Sequence, residues 1–81
     1  MTIGRTKCVL PFCRRTTHAD WDEWICAEHW RGVRRRTRWL HFAIRRKVKR
    51  DPGLDPRFAE MRRQNWRRCK RQALEAAAGL R

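Results

Sequence analysis

Apolar or small residues recur at three- and four-residue steps through Trp30, Val33, Thr37, Leu40, Ile44 and Val48. That spacing lines one face of a helix. No proline interrupts the stretch, and Gly32 is the one helix-weakening residue in it, so the pattern predicts a helix over residues 26–50. Asp51, Pro52 and Gly53 stop it. A second start follows at once. Asp55 is a capping residue, Pro56 suits a first helical position, and Gly79 suits a helix end. Phe58, Met61, Trp66, Cys69, Ala73 and Ala77 supply the apolar side of this second helix, expected over residues 55–79. The short linker makes the two helices antiparallel neighbours.

Before residue 26 the pattern shortens. Pro11 marks a tight turn between Cys8 and Cys13, and residues 14–18 and 21–25 read as two strands joined at Ala19 and Asp20. The expected architecture is a small α+β domain over residues 1–81. A hairpin module over residues 1–29 leads into helices over 26–50 and 55–79. Eighty-one residues bury only a thin core, and domains of this size usually depend on disulfides or a metal.

The cysteines favour the metal. Cys8 and Cys13 are separated by four residues, and Cys26 and His29 by two, with twelve residues between the pairs. Zinc takes four tetrahedral ligands, and three cysteines with one histidine form one of its usual structural sets. Cys8 and Cys13 flank a turn, so both sulfurs can face inward. Cys26 and His29 share one face of a helix's first turn, where the helix dipole favours a thiolate. Four protein ligands leave no position for a catalytic water, so one structural Zn2+ is expected. Residues 1–5 lack an apolar stretch, and no uncharged run is long enough to span a membrane. An intracellular, reducing setting follows from these readings. Cys69 is expected to face the other helix as a small apolar residue, and His18 and His41 have no ligand partner at suitable spacing.

This constellation resembles the treble-clef zinc finger, in which a zinc knuckle and loose hairpin precede a helix whose first turn completes the site. Cys8-Val-Leu-Pro-Phe-Cys13 stands for the knuckle and Cys26-Ala-Glu-His29 for the helix start. The knuckle departs from the usual pattern, with four intervening residues and no glycine. The layout is also similar to small basic zinc-finger proteins of bacteria and their phages. The resemblance implies a zinc-stabilised fold; treble clefs serve as ribosomal proteins, transcription factors, nucleases and adaptors.

Charge narrows those choices. Twenty-two Lys and Arg face eight Asp and Glu, a formal charge of +14. Arg34, Arg35, Arg36, Arg38, Arg45, Arg46 and Lys47 load the first helix, and Arg62, Arg63, Arg67 and Arg68 the second. Arginine favours bidentate phosphate contacts, so the expected partner is nucleic acid; DNA is the leading reading, although phosphate contacts are common to DNA and RNA. An anionic membrane surface is the rival polyanion. RNA binding, including a ribosome-associated role, is the nearest alternative. A protein-interaction adaptor docking through Trp39, Phe42 and Leu74 is another. A nuclease is disfavoured, because His18 has no partner set for a catalytic metal, and no enzymatic activity is expected. Trp21, Trp24 and Trp30 are expected around the metal. Trp39 and Trp66 are expected between the helices, with base stacking as the alternative.

Overall fold

A computed structural model of the chain describes residues 6–18, 22–53 and 55–79. Two short strands, β1 (Thr6–Lys7) and β2 (Thr16–Thr17), pair antiparallel with Thr6 opposite Thr17 and Lys7 opposite Thr16. Three helices follow: α1 (Ala27–Trp30), α2 (Arg35–Arg50) and α3 (Pro56–Ala77). This is a small α+β fold in which α2 and α3 form the main helical contact.

The strand pairing differs from the sequence expectation. Thr16 and Thr17 pair with Thr6 and Lys7, so the hairpin encloses the loop that carries Cys8 and Cys13. The Cys8 amide donates to the Arg15 carbonyl at 2.9 Å, and the Cys13 amide donates to the Leu10 carbonyl at 3.0 Å, which folds the loop back on itself. Residues 22–25 form no second arm with residues 14–18. Trp24 instead bridges Cys8 in parallel and accepts the Val9 amide at 2.8 Å. Backbone pairing thus joins the knuckle to the segment that delivers Cys26. The expected turn at Ala19 and Asp20, and Trp21, lie outside the described residues.

The single helix expected over residues 26–50 is broken. α1 is one turn long, and the amides of Arg31, Gly32 and Val33 bond three residues back, to Glu28, His29 and Trp30. These tight turns lead to Arg34, extended at φ −60°, ψ 145°, and α2 starts afresh at Arg35. Two contacts with α3 fix the break. A Cβ on Gly32 would meet the Ala76 Cβ at 2.7 Å, so only glycine permits this approach. The Arg34 amide, an orphan donor at the new helix start, donates to the Gln72 side-chain oxygen at 3.0 Å. Of the predicted stripe, Val33, Thr37 and Ile44 are buried, while Trp30, Leu40 and Val48 are half-buried.

α3 begins as its sequence suggests. Asp55 caps it by accepting the Arg57 amide at 2.9 Å, Pro56 occupies the first position, and Gly79 follows its end at φ 73°. Its buried face matches the predicted one only in part: Cys69 and Ala73 are buried and Phe58 and Trp66 half-buried. Asn65 and Gln72 are also buried, whereas Met61 and Ala77 are exposed. Asn65 donates to the Thr37 carbonyl at 3.2 Å and so serves as a polar tie between α2 and α3. Its own side-chain oxygen is buried without a partner.

The core gathers where knuckle, α1 and α3 meet. Cys8, Leu10, Cys13, Ile25, Cys26, Val33, Cys69 and Ala73 are its buried members, with Val9, Trp24, Trp30 and Trp66 packed against it. Half of the buried members are cysteines. Among the described residues, no helix is long and apolar enough to cross a membrane.

Candidate metal centre and basic surface

Three elements deliver the four predicted ligands. Cys8 follows β1, Cys13 lies in the enclosed loop, and Cys26 and His29 sit at the N-cap and third position of α1. Cys26 is extended at φ −67°, ψ 160°, which directs its side chain back to the knuckle. The ligand atoms of Cys8, Cys13, Cys26 and His29 all lie within 4.8 Å of one another, close enough to hold a metal ion. Cys13 Sγ is 3.9 Å from Cys26 Sγ, and His29 Nδ1 is 3.7 Å from Cys8 Sγ and 3.1 Å from Cys26 Sγ. The three cysteines are buried and His29 is half-buried. Phe12 stands edge-on to the His29 ring at 5.8 Å and shields that side.

The surroundings set the sulfur electrostatics. Burial acts to raise the Cys26 thiol pKa. Hydrogen bonds from the His29 backbone, the Arg15 guanidinium, the His29 ring and Cys13 outweigh it and bring the thiol to about 6. Burial pushes the Cys8 thiol up, opposed by hydrogen bonds from the Cys26 and Leu10 backbone; the Cys26 amide lies 3.4 Å from Cys8 Sγ. Arg15 donates to Cys26 Sγ at 3.7 Å and pairs with Glu28, linking β2's side of the loop to α1. Cys69 is fully buried, and burial pushes its thiol up to about 11, so it packs as an inert small apolar group.

The predicted basic residues are distributed over both helices. Arg34, Arg35, Arg36, Arg45, Arg46 and Lys47 are exposed, as are Arg62, Arg63, Arg67 and Arg68; Arg38 is half-buried. Some of these are engaged within the protein. Arg63 pairs with Glu60 at 2.6 Å, and Lys47 lies over the Phe58 ring, 5.1 Å from its centroid. α2 contains no acidic residue in its 16 positions.

Several contacts near the site left no sign in the sequence. Trp30, His41, Phe42 and Trp66 form an aromatic cluster with ring centroids 5.1–6.2 Å apart. Burial, with Arg45 and Arg62 nearby, holds the His41 imidazole below its ordinary pKa. The cluster forms one wall of an open groove of about 930 Å3, whose rim carries Arg45, Arg62 and Arg63 and also Glu23, Asp51 and Asp55. Glu23 accepts from Trp66 Nε1 at 2.8 Å and pairs with Lys70 at 2.9 Å. The Lys70 bond holds its carboxyl below the usual range, against the effect of burial, and the Trp66 bond adds to this. This carboxylate fastens the segment before Cys26 to α3. Trp24, Trp30 and Trp66 pack against the core, but Trp39 does not lie between the helices as expected; it is 64 % exposed. Phe42 and Leu74 are also exposed.

No protein-family model, curated protein or solved structure matches the chain.

Proposed function

We propose that the protein is a zinc-stabilised module that binds nucleic acid, DNA foremost, through the arginine-rich surface of α2 and α3, without enzymatic activity. Zinc fits the donor chemistry. Sulfur at about 2.3 Å and nitrogen at about 2.0 Å around a tetrahedral ion give S···S edges of about 3.8 Å and S···N edges of about 3.5 Å. The 3.9 Å and 3.7 Å separations match those edges. The Cys26 Sγ to His29 Nδ1 edge, 3.1 Å, is shorter, so zinc binding would require the His29 ring to move outward. Four protein ligands complete the shell, so the ion would hold the knuckle to α1 and perform no chemistry. A knuckle joined to a helix start that completes the site is also the layout of the treble-clef family. Buried free thiols suit a reducing, intracellular setting.

The observation that carries the nucleic-acid reading is α2. Half of its 16 residues are Arg or Lys, none is acidic, and most of these cations project to solvent. A helix exposed merely for solubility mixes charge signs to gain i,i+4 pairs. A single-sign surface rich in guanidinium groups suits a chain of phosphates.

The test is binding of the zinc-loaded chain to labelled duplex DNA and structured RNA across a salt series. If about six to ten phosphates are neutralised, log affinity falls against log salt with a slope of about −5 to −9. Replacing Arg35, Arg36 and Arg46 with Ala should flatten the slope by about one unit per lost contact and leave zinc content intact. No binding at low salt would overturn the reading.

A further inference from the structure

Trp39 has the highest fractional exposure, 64 %, of the large apolar side chains among the described residues. A thin core that uses Trp24, Trp30 and Trp66 leaves this ring outside. A tryptophan offers the largest apolar and π surface of any side chain, so its place on an outward face calls for a ligand with a π face. The neighbours on that face identify the ligand's charge. Arg35 and Arg36 lie one turn before Trp39, Phe42 one turn after, and Arg46 one turn further, all exposed. Phe42 is held from behind, its ring 5.7 Å from Trp30 and 5.1 Å from His41. The face therefore presents two rings between cations at each end, on a helix with no acid.

A second copy of the chain is a poor occupant, because two such faces would bring like charges together. A basic protein surface meets the same repulsion, and a neutral one leaves the arginines without counter-charges. A continuous duplex satisfies the arginines but keeps its bases stacked away from the rings. An unpaired nucleotide satisfies both, its base on an aromatic ring and its phosphates on guanidinium groups.

We propose that Arg35, Arg36, Trp39, Phe42 and Arg46 form a stacking platform for unpaired bases of single-stranded nucleic acid. The proposal rests on the nucleic-acid reading above and narrows it to strands or loops whose bases are free to stack. DNA and RNA share that chemistry.

The experiment compares parent, Trp39→Ala and Trp39→Phe, each as the full zinc-loaded chain. The probes are a thymine oligodeoxynucleotide, a uracil oligoribonucleotide and a blunt DNA duplex, each titrated across a salt series. Trp39→Ala should weaken binding to the single strands about 5- to 150-fold, the range of one lost base–aromatic stack. Its salt slope should stay that of the parent, because no phosphate contact is removed. Duplex affinity should change less than about twofold, and Trp39→Phe should recover most of the loss. A loss on both single strands, or on one sugar type alone, supports the platform. Unchanged single-strand binding in Trp39→Ala overturns the platform and leaves the nucleic-acid reading standing. A loss confined to the duplex overturns it in favour of a wedge between base steps. Two controls carry the remaining occupants. Vesicles containing anionic lipid that bind the parent and release Trp39→Ala, with oligonucleotide binding unchanged, would assign the face to a membrane surface. A parent dimer in sedimentation that Trp39→Ala converts to monomer would assign it to self-association. A parent that binds none of the three nucleic acids at low salt overturns both readings.

Discussion

Gly32 shows how much a single residue decides in this fold. Its missing side chain lets the turn after α1 touch α3, with Ala76 Cβ only 2.7 Å from where a Cβ would stand and the His29 carbonyl at 3.4 Å. Gly32→Ala should destabilise the protein by about 1–3 kcal/mol, the usual cost of forcing a methyl into a filled contact. Ala76→Gly in the same chain should restore much of the loss, because the two changes share one contact. Denaturant midpoints of the two single variants and the double variant measure this. An additive result would mean that the two residues do not meet. The same scale explains which site residues the sequence revealed. Cys8, Cys13, Cys26 and His29 announce themselves by side-chain type and spacing. Arg15, Glu23, Gln72 and Asn65 do not, because each acquires its role from a partner that folding brings near: the Cys26 sulfur, Lys70, the Arg34 amide and the Thr37 carbonyl.

At the scale of elements, long and strongly patterned segments were legible and short ones were not. α3 carries its own cap, first-position proline and terminal glycine, so its bounds follow from local chemistry. The break between α1 and α2 falls inside an unbroken apolar periodicity, and its causes lie on α3, about forty residues along the chain. Two-residue strands have too little pattern to name their partner, and β2 pairs with β1 where the sequence suggested residues 21–25. Elements this short do not stand alone. A four-residue helix is below the length at which helices persist in water, and an isolated pair of short strands is marginal. What joins them is the cluster of three cysteines and His29. The purified chain should therefore carry one zinc by elemental analysis, and binding energy at that site should be folding energy. Chelation, or Cys13→Ser, should abolish the cooperative thermal transition seen by circular dichroism. Residual helical signal from the 22-residue α3 is compatible with that outcome. A transition unmoved by chelator would mean that the four residues pack together without a metal.

For the whole molecule, positive charge is what local structure leaves unbalanced. Among the described residues, Glu23, Glu28, Asp55, Glu60 and Glu75 are engaged with cations, yet the eight acids of the chain cannot offset 22 bases. The resulting +14 is spread over a body of 39 × 37 × 16 Å, a flat shape with much of its charge at the surface. Screening would then act on the fold and on the proposed nucleic-acid binding with opposite signs. At about 0.01 M salt the screening length is about 30 Å, so charges across most of the body repel one another; at about 0.1 M it is about 10 Å and only near neighbours do. The melting temperature of the zinc-saturated chain should rise between those two salt concentrations and level off above them. Nucleic-acid affinity should fall over the same interval, because bound phosphates are then replaced by free ions. At low salt, a short DNA oligonucleotide should itself raise the melting temperature, since a ligand that prefers the folded state stabilises it by mass action. Calorimetric scans with and without oligonucleotide check all three responses. A melting temperature that falls as salt rises would show that the ion pairs, Glu23 with Lys70 foremost among them, contribute more than self-repulsion removes. Net charge would then no longer be the reason this surface needs an anion.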